Sequence, residues 1–163
     1  MEITKMLDIL RAQEEDLKFD HFTNEDALDL GILLVDEAKR QKVAVAIDIV
    51  MNGYQLFRYS FKGTSQFNTV WITRKHNTVA LMQKSTLRVF AEFMDAGRDP
   101  EKDQHIDLAK FANCGGAFPI YVNGVGVVGS VAVSGLNHVE DHNFVAGGIA
   151  RYLGKQTEAI DKL

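Results

Sequence analysis

Apolar side chains recur at helical spacing at the start of the chain. Ile3, Met6, Leu7 and Leu10 share one face and predict a short amphipathic helix, followed by a polar stretch over residues 13–16. Thr23 or Asn24 then reads as a helix cap, with Glu25 and Asp26 in the first turn, where the helix dipole favours acids. The helix they open carries Ala27, Leu30, Leu34, Val35 and Ala38 on its apolar face and ends near Lys39 and Arg40. The period then changes to two. Val43, Val45, Ile47, Ile49 and Met51 alternate with Ala44, Ala46, Asp48 and Val50, which predicts a strand with one large apolar face and one mostly small one. Asn52-Gly53 is a hairpin signal, and residues 54–61 are its partner strand, closed by a loop over residues 62–65.

From about Thr69 to Met94 the pattern is helical again, divisible near Lys84 and Ser85. Gly97 suits a C-cap, and residues 95–107 read as a polar surface loop. A second hairpin turns at Asn123-Gly124. It feeds through Ser134-Gly135 into a helix whose buried stripe is Phe144, Val145, Gly148, Ile149 and Tyr152, after which the last residues fray. Strands arriving in sequential hairpins rather than in βαβ units predict an antiparallel sheet with packed helices, an α+β domain spanning residues 1–163.

Composition narrows the partners. Net charge is −4 and no lysine or arginine block stands out, so nucleic acid is not an expected partner. No apolar run approaches the roughly 20 residues that cross a membrane. Residues 1–8 mix Glu, Lys and Asp with apolar side chains, unlike a secretory signal, so cytoplasmic residence is the expectation. Cys114 is the single cysteine and reads as a small buried filler.

Three clusters carry candidate chemistry. Gly115, Gly116, Gly124, Gly126 and Gly129 match neither a P-loop nor a dinucleotide fingerprint. They suit turns, bulges or close approach of a ligand or backbone. Residues 71–78 gather Trp71, Arg74, Lys75, His76, Asn77 and Thr78 within two helical turns. They form either an anchor for a carboxylate or phosphate or a solvated helix face. His138 and His142 stand four apart, but Val139 occupies the place where a zinc-protease motif has glutamate, so no metal site is assigned. His142 reads instead as a single pocket residue beside Asp141. No Ser/His/Asp set can be assigned from sequence order.

The strings 116–120 and 129–135, followed by Asp141-His142, resemble the haem-degrading domain family, also called GlcG/HbpS-like. Arg74-Lys75, Asn77-Thr78-Val79 and Ser85 are similar to that family's second motif. The likeness covers about Val43 to Tyr152 and is nearest to a branch of small, stand-alone cytosolic proteins of bacteria and fungi. It implies a profilin-like, three-layer α/β/α fold with about five antiparallel strands between helices. The strand missing from the pattern is expected near residues 67–71 or 111–113. The resemblance also implies a homo-oligomer, either a dimer or a larger ring, and makes haem a possible cofactor through distant relatives only.

On this basis the chain is expected to bind a small anionic ligand or a tetrapyrrole. The expected ligand residues are Arg74, Lys75, Asn77, Thr78, Ser85, Gly115, Gly116, Phe118, Ser134, Gly135, Asp141 and His142. One alternative is an enzyme acting on a small carbonyl or organic acid, with Lys75 or His142 as its catalytic group. The other is a non-catalytic oligomeric interaction module.

Overall fold

In the computed structural model, which describes residues 1–156, helices start at capping residues and strands meet at tight turns. Helix α1 spans Ile3–Asp16 and α2 spans Asn24–Gln41. Thr23 accepts from the Asp26 N–H while the Asp26 carboxylate accepts from the Thr23 N–H. This capping box satisfies two orphan donors at once. Strands β1 (Ala46–Met51) and β2 (Tyr54–Ser60) form an antiparallel hairpin around Asn52 and Gly53, both at positive φ. Helix α3 (Gln66–Met82) ends at Gln83, whose left-handed backbone turns the chain into α4 (Thr86–Asp95). A short α5 (Pro100–Gln104) precedes β3 (Ala117–Val122), β4 (Gly126–Ser134) and α6 (His138–Tyr152).

The two hairpins join through β1 and β4, giving an antiparallel sheet in the order β2-β1-β4-β3. Alternation sorts its side chains by size. Ile47, Ile49, Phe118, Ile120, Val131 and Val133 pack against Leu30, Leu34 and Ala38 of α2 and Phe144, Val145 and Ile149 of α6. Each such buried side chain contributes about 1.5–3 kcal/mol. The opposite face carries Ala46, Ala117 and Ala132 under Ile72 and Val79 of α3. Small residues here let α3 lie close to the sheet. Helices α1 and α4 pack together through Leu7, Leu10, Leu87 and Ala91.

Four strands form the sheet, not the five expected. Residues 67–71 lie in α3, and residues 111–113 are irregular. A remnant of a fifth strand stands elsewhere. Phe19 makes a single parallel bridge beside β3, donating to the Tyr121 carbonyl at 2.8 Å and accepting from the Asn123 N–H at 2.8 Å. The polar stretch 13–16, expected to follow the first helix, belongs to α1, and its polar groups have tertiary partners. The Gln13 amide is buried against His142, and Glu14 accepts from the Ser85 N–H and Arg88. Within the expected loop, Asp99 caps the short α5 and Pro100 pre-sets its first turn. The expected fraying falls mainly beyond residue 156, outside the described residues.

Candidate functional site

Lys75 organises the first cleft. Its aliphatic stem leaves α3 and carries Nζ over the end of the sheet. There it donates to the Val133 carbonyl at 2.7 Å and to Asp141 Oδ2 at 2.8 Å. Both charged side chains are almost fully buried, 3% and 4% exposed. Asn137 caps α6 by accepting from the Val139 and Glu140 N–H groups, which sets Asp141 in the first turn. Asp141 Oδ1 there accepts from the Leu136 N–H. Burial pushes the Asp141 carboxyl up, against the opposing pull of Lys75 and that N–H. Gly116 makes room for the ammonium, since a Cβ built on it would stand 2.3 Å from Lys75 Nζ.

Beside this pair opens a cleft of about 440 Å³. Phe67 and Trp71, one turn apart on α3 with ring centroids 6.3 Å apart, form one wall. Phe90 of α4 and His138 of α6, edge to face at 5.0 Å, form another. The Gly115 N–H donates to His138 Nδ1 at 3.2 Å, so the neutral ring carries its proton on Nε2. Burial pushes this imidazole down, with Lys75 acting in the same sense, which keeps it neutral. Ser134 accepts from Asn68 Nδ2 at 3.1 Å. Cys114 is half-buried on the cleft wall rather than a fully buried filler, and burial pushes its thiol up. Among the described residues, two buried polar atoms nearby find no partner: Asn113 Oδ1 on the cleft lining, and Arg74 Nε. The Arg74 guanidinium lies 4.9 Å from the Trp71 ring centroid and forms no ion pair among the described residues.

The cleft gathers only part of the expected ligand set. Lys75, Ser134, Gly135 and Asp141 line it, Gly115 and Gly116 shape it from behind, and Arg74 stands next to Trp71. Asn77 and Thr78 turn elsewhere and hold the 107–113 loop. Asn77 donates to the Lys110 carbonyl, and Thr78 exchanges hydrogen bonds with Ala112. Ser85 is buried at the start of α4. Phe118 belongs to the core under α6. His142 is not on the cleft lining. It is fully buried, hydrogen-bonded through Nε2 to Gln13 at 2.8 Å and 5.9 Å from the Phe118 ring centroid, and burial pushes it down to about 3. Its four-residue spacing from His138 therefore brings the two rings to different surroundings. Phe67, Asn68, Phe90 and Asn113 had no signal in a ligand motif. The i, i+4 aromatic pair Phe67–Trp71 was the available clue; in the fold Phe67 is 68% exposed and Trp71 half-buried.

Comparison with known proteins places this architecture. Residues 22–150 match the haem-degrading HbpS-like protein family. The UPF0303 protein SCO2848 of Streptomyces coelicolor is 42% identical over 146 residues, covering 90% of this chain and 92% of that protein. The crystal structure of the Ybr137w protein superposes with a TM-score of 0.85 at 28% identity, over 95% of this chain and 94% of its own. A PduOC:haem complex superposes with a TM-score of 0.67 at 19% identity, over 79% and 93%, a likeness of fold alone. The chain belongs to the HbpS-like family.

Proposed function

We propose that this member of the HbpS-like family binds a small, flat organic anion in the cleft beside Lys75. The observation that carries the reading is an unsatisfied buried atom on the cleft lining beside an aromatic wall, Asn113 Oδ1, with the Arg74 guanidinium 4.9 Å from the Trp71 ring. Such an atom costs about 1–3 kcal/mol. A ligand that accepts from Arg74 and donates to Asn113 recovers that cost, while Trp71, Phe67 and Phe90 cover its flat faces. His138 Nε2–H and the third Lys75 proton supply further donors. Lys75 adds little net attraction for an anion, because Asp141 compensates its charge.

The PduOC:haem complex makes haem the natural candidate to test against these residues. Haem held by an axial imidazole or thiolate does not fit them. His138 Nδ1 already accepts from Gly115 and its Nε2 carries the proton, while the Cys114 thiol stays protonated. A tetrapyrrole bound here would be held through its carboxylates and its rings. The enzymatic alternative based on Lys75 or His142 is disfavoured at this cleft. A Schiff base needs a neutral amine, whereas Lys75 is locked to a carboxylate, and His142 faces the core.

The test is thermal shift and affinity with haem, metal-free protoporphyrin and simple aromatic carboxylates. Lys75→Ala would break a buried pair, so Arg74→Gln is the informative variant. The iron-loaded and metal-free porphyrins should bind alike, and Arg74→Gln should weaken binding about tenfold without lowering stability. No shift with any of these anions, or affinity indifferent to Arg74→Gln, overturns the reading.

A further inference from the structure

A second cleft, also about 440 Å³, opens on the other side of α3, between that helix and the small-residue face of β1, β2 and β4. At its floor three side chains from distant parts of the chain meet. His76 Nδ1 lies 2.6 Å from Ser130 Oγ, and His76 Nε2 lies 3.1 Å from Asp48 Oδ1. All three line the cleft. Asp48 and Ser130 are each 2% exposed, and the His76 side chain is 12% exposed.

Hydrogen-bond chemistry fixes the direction of this chain of contacts. Asp48 Oδ2 already accepts from Gln55 Nε2 at 2.5 Å and from Arg58 Nη1 at 3.3 Å, so Oδ1 is the oxygen that meets His76. In the neutral ring, Nε2 of His76 carries the proton that Asp48 Oδ1 accepts. Nδ1 is then the lone pair that accepts from the Ser130 hydroxyl. Arg58 is itself held by Thr69 at 2.9 Å and Ser60 at 3.1 Å, so the carboxylate that orients the imidazole is braced from behind. An acid, an imidazole and a hydroxyl in this order form an activated nucleophile, with the two ring nitrogens exchanged relative to the usual arrangement. Asp48 and Ser130 both project from central strands onto the small-residue face of the sheet, beside Ala46 and Ala132.

We propose that Ser130, His76 and Asp48 form a nucleophilic acyl-transfer site for a small uncharged ester. Ser130 Oγ attacks the carbonyl carbon, and its proton passes to His76 Nδ1. The bond from carbon to the leaving oxygen breaks, and that oxygen takes the proton and departs as an alcohol, leaving an ester on Ser130. Water then attacks this ester and gives its proton to Nδ1. The carboxylic acid leaves, and the proton returns to Ser130 Oγ. Ser130 and His76 are the catalytic residues, and Asp48 is a positioning residue that holds the ring tautomer. The substrate class follows from the lining. Val50, Val79, Val127 and Val128 are apolar, the amides of Asn52 and Gln83 are neutral, and the Asp48–Arg58 pair cancels its own charge.

The test is covalent labelling of the intact folded protein with a fluorophosphonate, read by peptide mass, together with hydrolysis of p-nitrophenyl acetate. The expected adduct is on Ser130, absent in Ser130→Ala and formed about 100-fold or more slowly in His76→Asn. Asp48→Asn should move the pH dependence of labelling to alkaline values, a readout that a merely structural carboxylate would leave in place. Wild-type protein that is folded by circular dichroism yet carries no adduct on Ser130 overturns the proposal whatever the variants do. Labelling at Ser130 that proceeds undiminished in folded His76→Asn overturns it as well.

Discussion

His142 carries no charge at neutral pH, because burial pushes its imidazole from an ordinary 6.5 down to about 3. A group lowered in this way stabilises the fold above its unfolded pKa, and that stability is lost as pH falls from about 6.5 towards 3. Denaturant unfolding at pH 7 and pH 5 should show wild type losing about 2 kcal/mol from this group, and His142→Gln should lack that part of the loss. An equal pH dependence in both proteins would contradict the burial described. Gly116 makes the second prediction at this scale. A methyl group there would meet Lys75 Nζ at 2.3 Å and the Val133 carbonyl at 2.8 Å, on a backbone with φ of +121°. Gly116→Ala should therefore destabilise by on the order of 3 kcal/mol in urea unfolding, by straining the backbone and displacing one half of a buried pair. A neutral substitution would mean that the Lys75–Asp141 pair is not held as described. At this scale the sequence exposed the participants but not their partners. Lys75 and Asp141 both stood out, yet only the fold shows that they pair with each other. Asp48, a lone acid in an apolar alternation, was visible without its imidazole, because His76 and Ser130 reach it from 28 and 82 residues away in the chain.

Between elements, the join of α2 to α6 rests on Glu37. Arg40 and Gln41 on its own helix and Arg151 on α6 all donate to its carboxylate. The Arg40 hydrogen bond, helped by Gln41 and Arg151 and opposed by burial, holds Glu37 at about 2 against an ordinary 4.5. The folded value is depressed, so this stability is present above about 4.5 and lost as pH falls towards 2. It amounts to about 3 kcal/mol. Acid unfolding should begin this second loss near pH 4.5, within the lower part of the His142 window, and Glu37→Gln should flatten it while leaving the His142 loss in place. If the variant unfolds along the wild-type acid curve, the lock is not Glu37. Elements were legible where short-range chemistry decides them, as at Thr23, at Asn52-Gly53 and at the Gln83–Ser85 break. They were illegible where a distant partner decides. The polar end of α1 is helical through contacts to α4 and α6, and the strand remnant at Phe19 depends on the Tyr121 carbonyl and the Asn123 N–H, a hundred residues away.

For the whole molecule, the small-residue face of the sheet is the decisive feature. It lets α3 lie close, and the two flanks of that helix become two clefts with different chemistry. Among the described residues, no helix is long and apolar enough to cross a membrane. The central claim, a flat anion held against the aromatic wall beside Lys75, is tested most directly through Trp71, the sole tryptophan. Titration with metal-free protoporphyrin should quench its fluorescence to saturation, with weaker binding in Arg74→Gln. Emission that stays unchanged across the titration would contradict the account.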